Sequence, residues 1–184
     1  MAAASGKKPE RVGYDDVKER ALYVLDLDAA EDLPAPVGLP SAHFACLLAW
    51  DARVASDAEI ARLARWLLDS GAAYVCTWGP DCERVHDIID GEAAAGDRLV
   101  DVNHVVMTTW HDADPLSEAI WFSLFCSWPA AAYETTCAST LGVAVGSKAW
   151  GAEIRAAFED VRAFNTKVVG PSPRSPNEAS RDDG

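Results

Sequence analysis

Short apolar segments alternate with amphipathic helical segments along most of this chain of 184 residues. The run His43–Trp50 is continuously apolar, which is typical of a strand buried on both faces of a sheet. A helix follows, because Ser56 and Glu59 fit a capping box and Gly71 stands where a helix C-terminus favours glycine. This alternation predicts βαβ units, which build a parallel sheet with helices on both faces.

The same strand–helix unit recurs on both sides of this segment. We expect the third helix to start with Asp114 as its cap and Pro115 at its first helical position. We expect the last helix to run to about Phe164 with Trp150 and Phe158 facing inward. The remaining predicted strands are Ala21–Leu27, Ala73–Trp78, Asn103–Trp110 and Ala138–Val145, and the second helix is predicted over Cys82–Ala95.

The sequence therefore predicts a small three-layer α/β sandwich with a mainly parallel sheet of about five strands and four helices. A flavodoxin-like or Rossmann-like strand order is expected, with the strand near Leu22 at an edge. The polar composition of residues 1–12 and the proline-rich composition of residues 167–184 predict a disordered arm and tail. Residues 13–166 are then one domain.

Composition excludes several classes of protein and partner. The net charge of −13 and the pI near 4.6 would repel a phosphate backbone, so no nucleic-acid partner is expected. No apolar run approaches the roughly 18 residues of a transmembrane helix, so no membrane association is expected either. Five cysteines without a CxxC pair or a secretion signal indicate free thiols in the cytoplasm.

Seven tryptophans outnumber the five phenylalanines and four tyrosines, and three of them end predicted strands. Open parallel sheets bind ligands at the carboxyl ends of their strands, where indoles could stack on a flat or cationic ligand. The predicted ligand-binding residues are Trp50, Asp51, Trp78, Trp110 and Asp114. The alternative is that these tryptophans close the top of the core, as strand-terminal aromatic residues often do.

The sequence leaves open whether the protein is an enzyme. Cys82, at a predicted helix N-terminus, is a candidate nucleophile with His86, His111 and Asp81 as candidate catalytic partners. No metal site is predicted, because no third thiol has suitable spacing. No cofactor is predicted, because a dinucleotide fingerprint and a phosphate-binding loop are both absent.

The predicted helix Leu116–Trp128 is apolar almost all round, whereas a surface helix keeps one polar face. Such a helix suggests a surface for a protein partner or a homo-oligomer. The alternative is that the N-terminal segment or the loop around Tyr133 covers the helix. The candidate interface residues are Trp121, Phe122, Phe125 and Trp128.

Three segments carry a resemblance to a known family: HFACLLAWDA, AAYVCTWGPDCERVHDIID and VVMTTWHDADPLSEAIWFSLFCSWP. Over about Ser41–Ala130 the chain resembles an uncharacterised bacterial family that is described as a domain of unknown function. The resemblance implies a bacterial cytoplasmic protein and brings no activity or catalytic residue with it.

Because the residues form no complete catalytic set, the sequence predicts a non-catalytic binding or protein-interaction module. The alternative is a small enzyme or ligand-binding protein that uses the rim at the carboxyl ends of the strands, with cysteine, histidine and aspartate beside stacking tryptophans.

Overall fold

A six-stranded sheet with helices on both faces forms the fold in the computed structural model, which describes residues 7–34, 36–95 and 102–170. Two short 3-10 turns, at Val102–His104 and Ala131–Tyr133, interrupt the longer connections. The strands are β1 Glu10–Asp15, β2 Arg20–Leu27, β3 His43–Trp50, β4 Ala72–Trp78, β5 Met107–His111 and β6 Cys137–Val145. The helices are α1 Asp57–Asp69, α2 Cys82–Ala94, α3 Leu116–Phe125, α4 Lys148–Glu159 and α5 Val161–Val169.

The strands are arranged in the order β1-β2-β6-β3-β4-β5, and all neighbours are parallel except the antiparallel pair β1 and β2. Successive side chains of each strand point to opposite faces, so each face has its own apolar core. On one face the core packs against α1, α2 and the connection that follows β2. On the other face it packs against α3 and α4. The predicted three-layer α/β class is confirmed.

Local signals located most elements well. The Ser56 hydroxyl accepts from the backbone of Glu59, whose carboxylate accepts from the Ser56 backbone, so the predicted capping box is confirmed. Gly71 follows α1 with φ +98°, a conformation that glycine adopts without strain. Strands β3, β4 and β6 begin within one residue of the predicted positions.

Four predicted details are wrong. Helix α3 ends at Phe125, three residues before the predicted Trp128. Strand β5 begins at Met107, four residues late, because pairing with β4 starts at Met107 and the chain before it forms a 3-10 turn. Pro115 rather than Asp114 occupies the N-cap position of α3, and the Asp114 carboxylate instead accepts from His111. The last helix breaks at Asp160, whose side chain caps a new helix, α5, through the backbone of Ala163.

The strand order also differs from both expected orders. Numbered along the chain, the five parallel strands run 1-5-2-3-4, because the last strand inserts between the first two. The strand around Leu22 is not an edge, since β1 pairs with its outer side. The central strands β3, β4 and β6 are all apolar runs, so nothing in the local pattern says which of them lies beside which.

The predicted division into arm, domain and tail stays a prediction, although a strand and a helix extend across its two boundaries. Strand β1 begins at Glu10, inside the segment predicted as an arm, and α5 ends at Val169, inside the segment predicted as a tail. Most of the predicted arm and tail, residues 1–6 and 171–184, lies outside the described residues. Within the described ranges no helix has the length and apolar character needed to cross a membrane.

Candidate functional site

A crevice opens at the carboxyl ends of β2, β6 and β3. After β3 the chain passes to the face of α1, whereas after β6 it passes to the opposite face and forms α4. Because the connections after these two neighbouring strands pass to opposite faces, the loops that begin them diverge and leave a crevice. Such a crevice is the usual ligand site of open α/β sheets. Here the crevice has a volume of about 580 Å³. It is lined by Asp28–Glu31, Trp50, Asp51, Arg53–Ala55, Glu59, Val145–Ser147 and Trp150.

Two of the five predicted ligand-binding residues, Trp50 and Asp51, line this crevice. Trp50 is only 7% exposed, so most of its indole belongs to the core and one edge reaches the crevice. Asp51 lies at the mouth, where Arg53 Nε donates to Oδ1 at 2.9 Å and Arg53 Nη2 donates to Oδ2 at 2.6 Å. These hydrogen bonds lower the pKa of the Asp51 carboxyl, so it is ionised at neutral pH.

The lining of the crevice is predominantly acidic, with four carboxylates and one guanidinium. Lys7 donates to Asp28 at 2.7 Å, and this hydrogen bond lowers the pKa of the Asp28 carboxyl. Glu59 is engaged by the backbone and hydroxyl of Ser56 rather than by a cation. Glu31 has no ion pair among the described residues. The crevice therefore has an excess of negative charge.

Arg84 on α2 holds the loop that forms one wall of the crevice. Its Nη2 donates to the carbonyl oxygens of Ala52 and Ala55 at 2.7 and 3.0 Å, and its Nη1 donates to Asp57 at 2.6 Å. Its Nε donates to Asp81 at 2.7 Å. Sequence reasoning missed Arg84, because neither its position on a helix nor its charge distinguishes it from other surface arginines.

The opposite wall of the crevice is the beginning of α4. Gly146, with φ +74°, turns the chain from β6 into the helix, and the Ser147 hydroxyl caps the helix by accepting from Trp150 N. One turn further, Gly151 lies so close to β2 that a Cβ placed on it would be 1.7 Å from Asp26 Oδ1. Helix α4 is thereby held directly against the sheet beside the crevice.

The three strand-terminal indoles do not meet at one rim. Trp78 packs edge-on against Trp150 at 5.2 Å, and its Nε1 donates to the carbonyl of Asp114 at 2.8 Å. Trp110 lies on the opposite face of the sheet, with its ring 4.6 Å from His86 and 45% of its surface exposed. Because Trp110 pairs with Thr77 and not with Trp78, the pleat sends the two indoles to opposite faces.

The candidate catalytic residues do not assemble either. Cys82 is 1% exposed, and burial raises the pKa of its thiol, the opposite of what a nucleophilic cysteine needs. His86 and His111 lie on opposite faces of the sheet, because His86 packs on Trp110 and His111 is the next residue of β5. Asp81 has φ +68° and accepts from Arg84, so it occupies a turn.

One pair of candidate residues does come together. Asp114 Oδ2 lies 2.9 Å from His111 Nδ1, an arrangement that orients the imidazole ring. His111 Nε2 is buried and has no hydrogen-bond partner among the described residues, and the ring packs 4.7 Å from Phe122. The ring is enclosed under α3 and does not line the crevice. Within the described residues, no group of three or more histidine, cysteine, aspartate or glutamate side chains could hold a metal ion.

The apolar helix is partly covered, by α5 and, near its end, by the N-terminal segment, which was one of the expected covers. Trp121 Nε1 donates to Asn165 on α5 at 2.8 Å, and its ring packs 5.4 Å from Phe125. Phe122 packs against His111 and is half-buried. Trp128 is the exception, since it is 57% exposed with Lys18 Nζ 4.7 Å above its ring. An interface through these residues stays a prediction, with Trp128 as its most accessible member.

A second cavity, of about 620 Å³, lies at the amino ends of β3, β4 and β5. Three of the four histidines of the chain line it, and none of its aromatic contacts was expected from the sequence. Tyr133 packs against His43 at 4.7 Å and against His104 at 5.8 Å, while His86 closes the side formed by α2. The sequence did contain a signal for this cavity, because His43 and His104 both stand at the start of predicted strands and therefore at the same end of a parallel sheet.

The comparisons with known proteins agree with the resemblance seen in the sequence. No curated protein matches the chain. The model of one family, described as Domain of unknown function (DUF7684), matches residues 22–161, a longer stretch than the three motif segments span. The match covers all five parallel strands and α1 to α4. The chain therefore belongs to this family of domains of unknown function.

Proposed function

We propose that the protein is a non-catalytic ligand-binding domain that holds a small organic cation in the crevice at the carboxyl ends of β2, β6 and β3. The single observation that carries the proposal is the place of the crevice, where the connections that follow β3 and β6 leave toward opposite faces of the sheet. Its volume of about 580 Å³ falls within the usual range for small-molecule sites.

The charge of the lining supports a cationic ligand. Asp51 and Asp28 each have a cationic side-chain partner, whereas Glu31 and Glu59 form no ion pair within the part of the chain that the structure describes. Trp50 and Trp150 also line the crevice, and a cation binds favourably over the face of an indole ring. In this arrangement the guanidinium of Arg53 holds Asp51 as an internal cation, and an incoming ligand would compete with it.

A binding role is supported over catalysis by the distribution of reactive groups. The described lining of the crevice contains no cysteine or histidine, and the buried Cys82 and the partly buried His111 lie outside it. All five cysteines are free thiols, which supports the cytoplasm as the compartment.

The test uses two probes of nearly equal shape and opposite charge, benzylamine and benzoate. Backbone amide shifts are followed during titration at pH 7. We expect benzylamine to shift amides near Asp51 and Ser147, and we expect benzoate to leave them unchanged. Equal binding of benzoate, or shifts confined to another region, would overturn the proposal.

Two substitutions at the mouth of the crevice should act in opposite directions. Asp51→Asn removes an acceptor and should weaken benzylamine binding about fivefold, whereas Arg53→Gln removes the competing cation and should strengthen it about threefold. Asp87→Asn, outside the crevice on α2, is the matched control and should leave binding unchanged. The same sign of change for both mouth variants would contradict competition at Asp51.

A further inference from the structure

The histidine-lined cavity at the amino ends of the strands is distinct from the crevice and shares no residue with it. Its volume of about 620 Å³ suits a small ligand. Its polar groups come from the start of β3, from α2, from β5 and from the two 3-10 turns. What they can bind depends on which hydrogen-bonding atoms the protein already uses.

The hydrogen-bond network assigns the tautomer of His43. The hydroxyl of Thr136 donates its only proton to the carbonyl of Tyr133 at 3.2 Å. In the arrangement that satisfies both contacts of this hydroxyl, Thr136 Oγ1 accepts from His43 Nδ1, 2.8 Å away, and Nδ1 carries the proton. Burial and the neighbouring His104 lower the pKa of His43, which keeps the ring neutral at pH 7. His43 Nε2 is therefore a lone-pair acceptor without a partner among the described residues.

The other polar groups of the cavity are already occupied. Tyr133 donates its phenolic proton to the carbonyl of His104 at 3.0 Å. Thr108 donates to Asp90 at 2.5 Å and therefore accepts from His86 Nε2 at 3.0 Å. Among the described side chains of the lining, His43 Nε2 is therefore an uncharged acceptor left open to a ligand, and the Asp90 carboxylate is a charged one.

The rest of the lining is apolar and favours an uncharged, flat molecule. Leu68, Ala93 and Met107 provide aliphatic surface, and the ring of Tyr133 provides aromatic surface. A carboxylate would meet the lone pair of a neutral imidazole and the charge of Asp90. An ammonium group would lose its hydration against the apolar wall.

We propose that this cavity binds an uncharged aromatic molecule that donates a hydroxyl or ring N–H hydrogen bond to His43 Nε2. The ligand ring packs between Tyr133 and the aliphatic wall, and the Thr136 hydroxyl is a positioning group that holds the imidazole in the accepting tautomer. The proposal assigns a second ligand class to the chain and does not depend on the function of the crevice.

Phenol is the probe, with benzylamine and benzoate as charged comparisons, and binding is followed through backbone amides and the ring nitrogens of histidine. At pH 7.5 we expect phenol to shift the amides of Phe44, Ala72 and Thr108 and the Nε2 resonance of His43. Benzoate and benzylamine should bind at least tenfold more weakly here. Phenol binding should weaken as the pH falls and His43 gains a proton, with His104, His86, Asp90 and Tyr133 as the ionisable groups around it.

Substitution separates the acceptor from the cavity itself. His43→Phe keeps an aromatic ring but removes Nε2, and should weaken phenol binding at least fivefold. Val17→Ala, which is exposed in the turn between β1 and β2 and lines neither cavity, is the control and should bind as the wild type does. Undiminished binding by His43→Phe, or no shift of the His43 ring nitrogen in the wild type, would overturn the proposal. The ring-nitrogen measurement uses the unaltered protein, so it decides the matter even if the variant fails to fold.

Discussion

The two ends of the sheet carry cavities of similar volume and different chemistry. The carboxyl-end crevice is lined by carboxylates, most of them at the surface, and arises because the chain leaves β3 and β6 toward opposite faces. The amino-end cavity is lined by imidazoles and aliphatic side chains and lies between α2, the two 3-10 turns and the amino ends of β3, β4 and β5. The first follows from topology and the second from side chains. The crevice is therefore a property of the strand order, whereas the histidine cavity depends on particular residues.

The largest expected loss of stability comes from substituting the two glycines that flank β4, one at each end of the sheet. A Cβ on Gly71 would lie 2.2 Å from Ala42 O at the amino end, and a Cβ on Gly79 would lie 2.5 Å from Trp50 O at the carboxyl end. Both residues also have positive φ. We expect Gly71→Ala and Gly79→Ala each to lower the free energy of unfolding by about 3 kcal/mol in urea titrations.

Gly91 in α2 provides the matched control for these substitutions. A Cβ placed there meets no atom within 4 Å, so Gly91→Ala should stabilise the protein by about 0.5–1 kcal/mol through helix propensity. Equal effects at the three glycines would show that close backbone approach does not set the geometry of either end.

Thiol labelling of the native protein tests whether the carboxyl end holds a reactive cysteine. Cys82 is buried with a raised thiol pKa, whereas Cys126 is partly exposed. We expect Cys82 to react at least about 100-fold more slowly than Cys126, as measured by mass spectrometry of modified peptides. Faster labelling of Cys82 than of Cys126 would restore it as a nucleophile.

Removing the arginine that supports the crevice wall should affect one end only. Arg84→Met removes hydrogen bonds to Ala52, Ala55 and Asp57 and should lower the free energy of unfolding by about 1–2 kcal/mol. Benzylamine binding should weaken about fivefold while phenol binding stays unchanged, as followed by amide shifts. Arg65→Met, which removes one exposed pair with Glu92, should change stability by less than about 0.5 kcal/mol. Loss of both ligands on Arg84→Met would mean that the two ends are coupled.

The smallest expected effect is the pH dependence contributed by the amino end. Burial lowers the folded-state pKa of His43 below the ordinary value near 6.5, so the unfolded chain binds this proton more readily. The contribution is complete above about pH 6.5 and is lost as the pH falls through the folded-state pKa. His43→Gln should remove this component in urea titrations between pH 7.5 and 5. A stability difference between variant and wild type that does not vary with pH would contradict it.

Prediction from sequence succeeded where the signal was local. The capping box at Ser56, the apolar run of β3 and the start of α2 at Cys82 each depend on neighbouring residues, and each was located to within one residue. Prediction failed at Asp114 and Asp160, because the side chain of one found a partner on β5 and that of the other capped a separate helix. Rules for helix capping consider only neighbouring residues and therefore do not account for such competing partners.

The candidate site was predicted in part. Trp50 and Asp51 line the crevice as expected. Trp50 ends β3 and Asp51 follows it, at the point where the connections after β3 and β6 leave toward opposite faces of the sheet. Trp78 and Trp110 went to opposite faces, because the register of β4 against β5 differs by one residue from the register that would align them. A one-residue difference in register cannot be read from two apolar runs.

The sequence alone determined the α/β class, the bounds of most elements and the free thiols, because these depend on periodicity, capping and composition. The tertiary structure decided the strand order, the faces to which the indoles point and the union of His43, His86 and His104 in one cavity. Those features depend on pairing between segments that are distant in the chain. Since every central strand is equally apolar, burial alone gives no preference among their arrangements, and only the packing of the whole molecule selects one.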